Sequence, residues 1–465
     1  MTATGTSVTA DLQERAHRHL LMHFARNGAY APDGRRLLVL ERGEGPYVFD
    51  TDGKRYLDGL SSLFCSQIGY SFGEEMAAAA ARQLTTLPFN TNWATAHPPA
   101  IELAEALAER APGDLNRVFF TSGGSESVEA AWKILRQHYV ARGEPLRTKA
   151  IAREIAYHGV TLGALSFTGV APMKEPFGPS PIEVVRVANT NAFRAPDGED
   201  PAAMCARLLE EMERAILDAG PETVAMIIAE PVQNAGGCLV PPDGYWRGLR
   251  ELADRYGVAV VADEVITGFG RIGEWFAAPR FGGEPDVITV AKGITSAYAP
   301  MGAVLVSDRI AEPLYEDKRM LLHGITFGGH PVAAAIALQN LEIFEREGVL
   351  DNVRAHEAYL GGRLGELRDR LPIVGDVRGA GYFWALELVR DEAGSPFSAE
   401  EREALLRGFL STRLLDEGLI ARPDDRGDAV LHLAPPLICG EAELDELVAK
   451  TEAVLADASE RFFVA

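Results

Sequence analysis

The chain has 465 residues, 47% of them apolar, which is enough for a large core and for two or more domains. Its formal net charge of −22 repels phosphate backbones and anionic lipid, so nucleic acid and membrane surfaces are excluded as expected partners. No apolar run approaches the roughly 20 residues of a bilayer span. Residues 1–6 lack the charged-then-apolar pattern of a leader, and Cys65, Cys205, Cys238 and Cys439 form no CxxC pair. A reduced cytoplasm is the expected setting.

Leu12, Ala16, Leu20 and Phe24 recur at helical spacing and predict a helix over residues 11–26. His19 and His23 stand four apart on it, but without a third ligand nearby they predict packed or solvated histidines, and no metal is expected. Two short alternating runs, 45–50 and 55–58, flank Asp52-Gly53 and predict a β-hairpin. From about residue 100 to 307 helix and strand alternate. Helices are expected at 101–110, 126–140 and 245–256, and strands at 117–120, 150–156, 224–229, 258–262, 287–291 and 302–306. Repeated strands with helical crossovers predict an α/β unit whose mostly parallel sheet is covered on both faces. After Pro331 the texture changes: a helix at 333–347, strands within 373–390, a helix at 398–417, a strand at 429–433 and a helix at 441–460. This second unit is α+β, and pairing of the N-terminal hairpin with it would make a small domain from both chain ends. The expected division is 1–65, contributing to the small domain, 66–335 as the large domain, and 336–465 as the C-terminal small domain.

Ligands of open α/β sheets bind beyond the carboxyl ends of the strands, and the chemistry-bearing residues fall there. Lys292 ends the β-branched run 286–292 in a chain with only seven lysines. Burial favours its neutral amine, the form that makes a Schiff base with an aldehyde; the alternative is a lysine that snorkels to solvent. Strand 117–120 runs into Thr121-Ser122-Gly123-Gly124-Ser125-Glu126 and then a helix. Such a turn offers free amides and a positive helix end to an anion, or is simply a capped helix start. Asp263 follows strand 258–262; a carboxylate there needs a cation, such as a protonated pyridine nitrogen, or else it caps a turn. Glu230 has the same position after 224–229. Tyr157, beside His158, can stack on a planar ring or pack in the core. Taken together, an anion cup, a stacking aromatic, an acid and an amine match the four handles of pyridoxal 5′-phosphate.

At this point the sequence resembles the class III aminotransferases, and within them the ω-transaminase (amine–pyruvate) branch. The likeness covers nearly the whole chain. It rests on 121–126, Tyr157-His158-Gly159, Ala229-Glu230-Pro231-Val232, the run from Asp263-Glu264-Val265 to Arg271, Ala291-Lys292-Gly293, Thr326-Phe327-Gly328-Gly329-His330-Pro331 and Val377-Arg378-Gly379-Ala380-Gly381. The resemblance implies fold type I and a homodimer with active sites at the subunit interface. Lys292 would be the catalytic amine and Asp263 the partner of the ring nitrogen. Tyr157 would stack on one ring face and Val265 press the other. Ser122, Gly124 and Ser125 would bind the phosphate with Thr326 of the other subunit, while His158 and Glu230 complete the cofactor site. Leu63, Phe64, Trp93 and Arg422 would contact substrate, Arg422 pairing with a keto-acid carboxylate. Arg378 could bind a carboxylate or be structural.

The implied reaction transfers an amino group from a primary or ω-amine to pyruvate by ping-pong kinetics. The same fold also serves 2-oxoglutarate with a diamine, GABA or ornithine-like donor, and aminomutases. A cofactor-binding transcriptional regulator would need a DNA-binding module, against which the charge and the short N-terminal extension speak. A dinucleotide oxidoreductase would leave Lys292 unexplained and lacks GxGxxG after a strand.

Overall fold

The computed structural model describes residues 8–30, 34, 36–196, 198–316 and 320–464. The leader-free reading of residues 1–6 therefore lies outside the described residues. Strands β1 (Leu40–Glu44), β2 (Tyr47–Asp50) and β3 (Arg55–Asp58) form the N-terminal meander, with the expected turn at 51–54 between β2 and β3. Next come β4 (Arg117–Thr121), β5 (Lys149–Arg153), β6 (Val184–Val187), β7 (Val224–Ala229), β8 (Ala259–Asp263), β9 (Val287–Val290) and β10 (Gly302–Val306). The C-terminal part adds β11 (Val374–Ala380), β12 (Phe383–Leu388), β13 (Leu419–Ile420), β14 (Arg422–Asp424) and β15 (Val430–Leu433).

The central sheet has seven strands in the order β4-β10-β9-β8-β7-β5-β6, and only β10 runs antiparallel to its neighbours. Strands β7, β8, β9 and β10 are buried on both sides, as near-continuous apolar runs require. On β8 the alternation is clean. Val260 and Ala262 join one core with Trp246, Leu249 and Leu208, while Ala259 and Val261 join another with Ile134 and Leu135 of helix Gly124–Ala141. Helices Pro201–Ala219 and Tyr245–Tyr256 thus cover one face and helix Gly124–Ala141 the other.

The chain ends meet. β13 pairs in parallel with β3, setting Leu57 against Leu419 and Asp58 against Ile420. A third, antiparallel sheet follows the order β11-β12-β15-β14.

Two expectations are corrected. The first helix is Val8–His19 rather than 11–26. Leu20 and Phe24 are exposed, so no burial rewards another turn, and the Asn27 side chain bonds both backbone groups of Met22 instead. His19 and His23 therefore do not share a helix. The expected helix at 398–417 starts at a Ser398/Glu401 capping box but winds with π-type bonding from Glu403 to Leu410 before resuming at Ser411–Asp416.

Candidate active site

Four strands of the central sheet release their chains toward one cavity of about 210 Å³, and the turn after β4 closes it. Its walls include Gly124 and Ser125 after β4, Tyr157 and His158 after β5, Glu230 after β7, Asp263 and Val265 from β8, and Lys292 after β9. The strand-end residues singled out from sequence thus converge. Lys292 sits at φ +48°, a left-handed conformation unusual for a residue with a side chain. Burial, opposed by the nearby Cys65 and Asp263, holds its amine below the ordinary lysine value of 10.5.

Asp263 is clamped from three directions. His158 Nδ1 lies 2.7 Å from Oδ2, Thr289 Oγ1 donates to Oδ1 at 3.1 Å, and the Val265 amide donates to Oδ1 at 3.2 Å. Thr289 is not among the residues marked by sequence; inside a β-branched run a threonine carries no sign that its hydroxyl is in use. Glu230 is buried and burial raises its carboxyl above the usual range. Its Oε1 accepts from the Asn234 amide, and Arg153 stands 4.0 Å from Oε2. Buried polar atoms are normally satisfied, yet Glu230 Oε2 and His158 Nε2 have no hydrogen-bond partner among the described residues.

The cup after β4 is held open. The N-cap Gly123 gives no side-chain oxygen to the first turn of helix Gly124–Ala141, so its leading amides stay free for an anion. A Cβ on Gly124 would lie 3.0 Å from Val265 Cγ1, and one on Gly159 only 2.5 Å from Ser125 Oγ. Gly159, at φ +110°, lets the Tyr157 loop press onto this helix end, where the Val160 amide donates to Ser125 Oγ. Ser122 stands just before the turn, its amide given to Glu126.

Leu63 lines the cavity with Val232 and Ile266, forming an apolar wall. Phe64 does not line it; at φ +62° its ring turns into the core against Phe383 and His432. Trp93 also lies elsewhere, on an apolar groove of about 950 Å³ with Met320, Leu322 and Gly324. Thr326 is exposed and away from the cavity of its own chain. Arg422 is half-buried; burial and the neighbouring Arg426 lower its pKa, and its charge is felt at Lys292 and Tyr157. Arg426, which carries no mark in the sequence, lies 5.3 Å over the Tyr157 ring and takes Asp424 by direct hydrogen bonds. Arg422 only approaches that carboxylate, at 3.7 Å. Arg378 is consumed structurally by Gly236, Gly237, Asp376 and Glu387.

Residues 29–455 match the family described as aminotransferase class-III. The chain belongs to the class III aminotransferases. The chain is similar to a probable aminotransferase of Mycobacterium tuberculosis, 49% identical over 98% of this chain and 96% of the relative. It is also similar to a putrescine–pyruvate aminotransferase of Pseudomonas aeruginosa, 40% identical over 88% of each. Among solved structures, a thermostable (S)-enantioselective ω-transaminase from Thermomicrobium roseum superposes with a TM-score of 0.92 at 42% identity, covering 97% of this chain and 99% of that one. Class III aminotransferases depend on pyridoxal phosphate, and this aminotransferase's cavity fits that group. It offers free helix amides for the phosphate, a clamped carboxylate for a cationic ring nitrogen, orphaned polar atoms and a buried amine. No group of three or more His, Cys, Asp or Glu among the described residues is placed to hold a metal, and no helix among them is long and apolar enough to cross a membrane.

Proposed function

We propose that this aminotransferase moves an amino group from a primary or ω-amine to pyruvate. One observation carries the choice of substrates: an apolar wall of Leu63, Val232 and Ile266 lines the cavity of Lys292, and the charge of the half-buried Arg422, which only approaches the Asp424 carboxylate at 3.7 Å, is felt at Lys292 and Tyr157. The wall suits an uncharged amine, and the arginine suits the carboxylate of a keto acid. The putrescine–pyruvate and ω-transaminase relatives support the same reading.

Pyridoxal phosphate, when bound, supplies an aldehyde that captures amines and a protonated ring that draws electrons from the substrate carbon. The residues of the chain do the rest. The amides of Gly124 and Ser125, with the Ser122 and Ser125 hydroxyls, would hold the phosphate. Tyr157 and Val265, both lining the cavity, would hold the ring. Asp263, oriented by His158 and Thr289, would keep the ring nitrogen protonated, with Glu230 lining the same cavity. Lys292, whose amine burial holds below the ordinary lysine value, would serve as the base, accepting and returning a proton at its Nζ.

A second copy of the chain completes this reading. Thr326 is exposed beside an apolar groove where Trp93, Met320 and Leu322 are also exposed. A partner seated there would bury that surface and bring its own Thr326 to the phosphate. Purified enzyme should use 1-phenylethylamine with pyruvate, read as alanine formed. Alanine formation no faster than with buffer, while 2-oxoglutarate and a diamine support turnover, would replace this reading with the 2-oxoglutarate one.

A further inference from the structure

The segment between β3 and residue 66 carries three non-glycine residues with positive φ: Ser61 at +49°, Ser62 at +61° and Phe64 at +62°. Positive φ is strained for a residue with a side chain, so the surrounding structure must over-determine the turn. It does so with buried polar groups that take no part in the reaction proposed above. Asp58 is 1% exposed at the end of β3. Its Oδ1 accepts the Leu60 amide at 3.2 Å, and its Oδ2 accepts both the Ser62 amide and the Tyr70 hydroxyl at 2.6 Å. Ser61 Oγ donates to the Ala434 carbonyl at 2.7 Å and accepts from Arg271 at 3.0 Å. Arg271, fully buried, is itself fixed on the carbonyls of Tyr382 and Pro435. Phe64 is then driven into the third sheet, 5.5 Å from Phe383 and 6.1 Å from His432 between ring centres. Leu63, 49% exposed, projects from the turn into the cavity that holds Lys292.

We propose that Asp58 is a specificity-determining positioning residue: by holding the strained turn 60–64 it fixes how far Leu63 reaches toward Lys292, and so the size of amine the site admits. The inference rests on the transaminase reading of the same cavity. Asp58 touches neither cofactor nor substrate and acts through Leu63 alone. In Asp58→Asn the Oδ2 acceptor becomes an amide donor facing the Ser62 N–H, so the turn relaxes and Leu63 loses its fixed place.

The experiment compares kcat/KM for a bulky arylalkylamine with that for a small alkylamine, both with pyruvate, in a double-mutant cycle of Asp58→Asn and Leu63→Ala. Asp58→Asn should shift the bulky-to-small ratio roughly tenfold, the scale on which a hydrophobic pocket discriminates. In the Leu63→Ala background the same change should shift it less than about twofold, because the side chain it positions is gone. The visible absorbance of bound cofactor should stay unchanged in every variant. An unchanged ratio in Asp58→Asn, or an equal shift with and without Leu63, overturns the proposal. If Asp58→Asn does not fold, Tyr70→Phe, which removes one of the three bonds to the carboxylate, takes its place with the same expected direction and the same overturning result. Wild-type enzyme that turns over neither amine would defeat the transaminase reading itself, and the cycle separates that failure from this one.

Discussion

The residues proposed to hold the cofactor and those proposed to meet the substrate are positioned in opposite ways. Lys292, Asp263, Glu230 and Tyr157 follow strands of a single sheet whose ladders fix their spacing. Leu63 and Arg422 come instead from the chain ends, where short strands β3, β13 and β14 are held by long-range buried contacts such as Asp58–Tyr70 and Ser61–Ala434. In the proposed reaction, a wall made of strand ends would fix the chemistry. A wall made of turns can change its shape without disturbing that chemistry. The difference teaches that damage to the first should cost rate, and damage to the second should redistribute substrates.

The largest effect should come from Lys292→Ala, which removes the amine and the base together. Loss of at least about 10⁴-fold in kcat/KM is expected in a steady-state assay with any amine. Asp263→Asn should lower kcat by about 10²–10³-fold, read in single turnover, because a neutral amide no longer favours the protonated ring nitrogen. Arg422→Ala should act on the other wall. It should raise KM for pyruvate about 10–100-fold while leaving the amine half-reaction within about twofold. An equal loss in both half-reactions would erase the contrast between the walls. Thr289→Val should do least, a few-fold in kcat for one lost hydrogen bond to Asp263.

The pH dependence of Lys292 sharpens the same contrast. Its amine loses its proton at lower pH in the folded chain than the ordinary value of 10.5. Between those two values the unfolded chain holds the extra proton, so folding stability rises with pH across that window. In cofactor-free enzyme, the pH of half-maximal Lys292 labelling by an amine-directed reagent should therefore lie below 10.5, and a half-maximal pH at or above 10.5 would contradict the buried-amine account.

The first wall is legible in the sequence for a physical reason. A buried strand writes a β-branched run, and the residue that ends the run is placed by the sheet, so Lys292, Asp263, Glu230 and the turn after β4 are marked by the residues that precede them. Helix Pro201–Ala219 also carries a signal that the expected elements omit, with Asp200 as cap, Pro201 at its start and Met204, Leu208, Met212 and Ile216 inward. The second wall writes no period. Strands of two to four residues are too short to show alternation, and a turn with φ near +60° sends Leu63 and Phe64 in opposite directions that no spacing reveals. Resemblance places Phe64 and Trp93 with the substrate; the turn geometry buries the one, and the other lines a separate groove. Asp58 and Arg426 give no warning, since their partners are fixed only when the chain ends meet.

The central claim is that pyridoxal phosphate is held on Lys292 at the ends of these strands. Borohydride reduction of the cofactor-loaded enzyme, followed by digestion and peptide mass analysis, tests it most directly. The account predicts one modified peptide, carrying the reduced cofactor on Lys292. Cofactor on another of the seven lysines, or on none with the visible band unchanged by reduction, would contradict it.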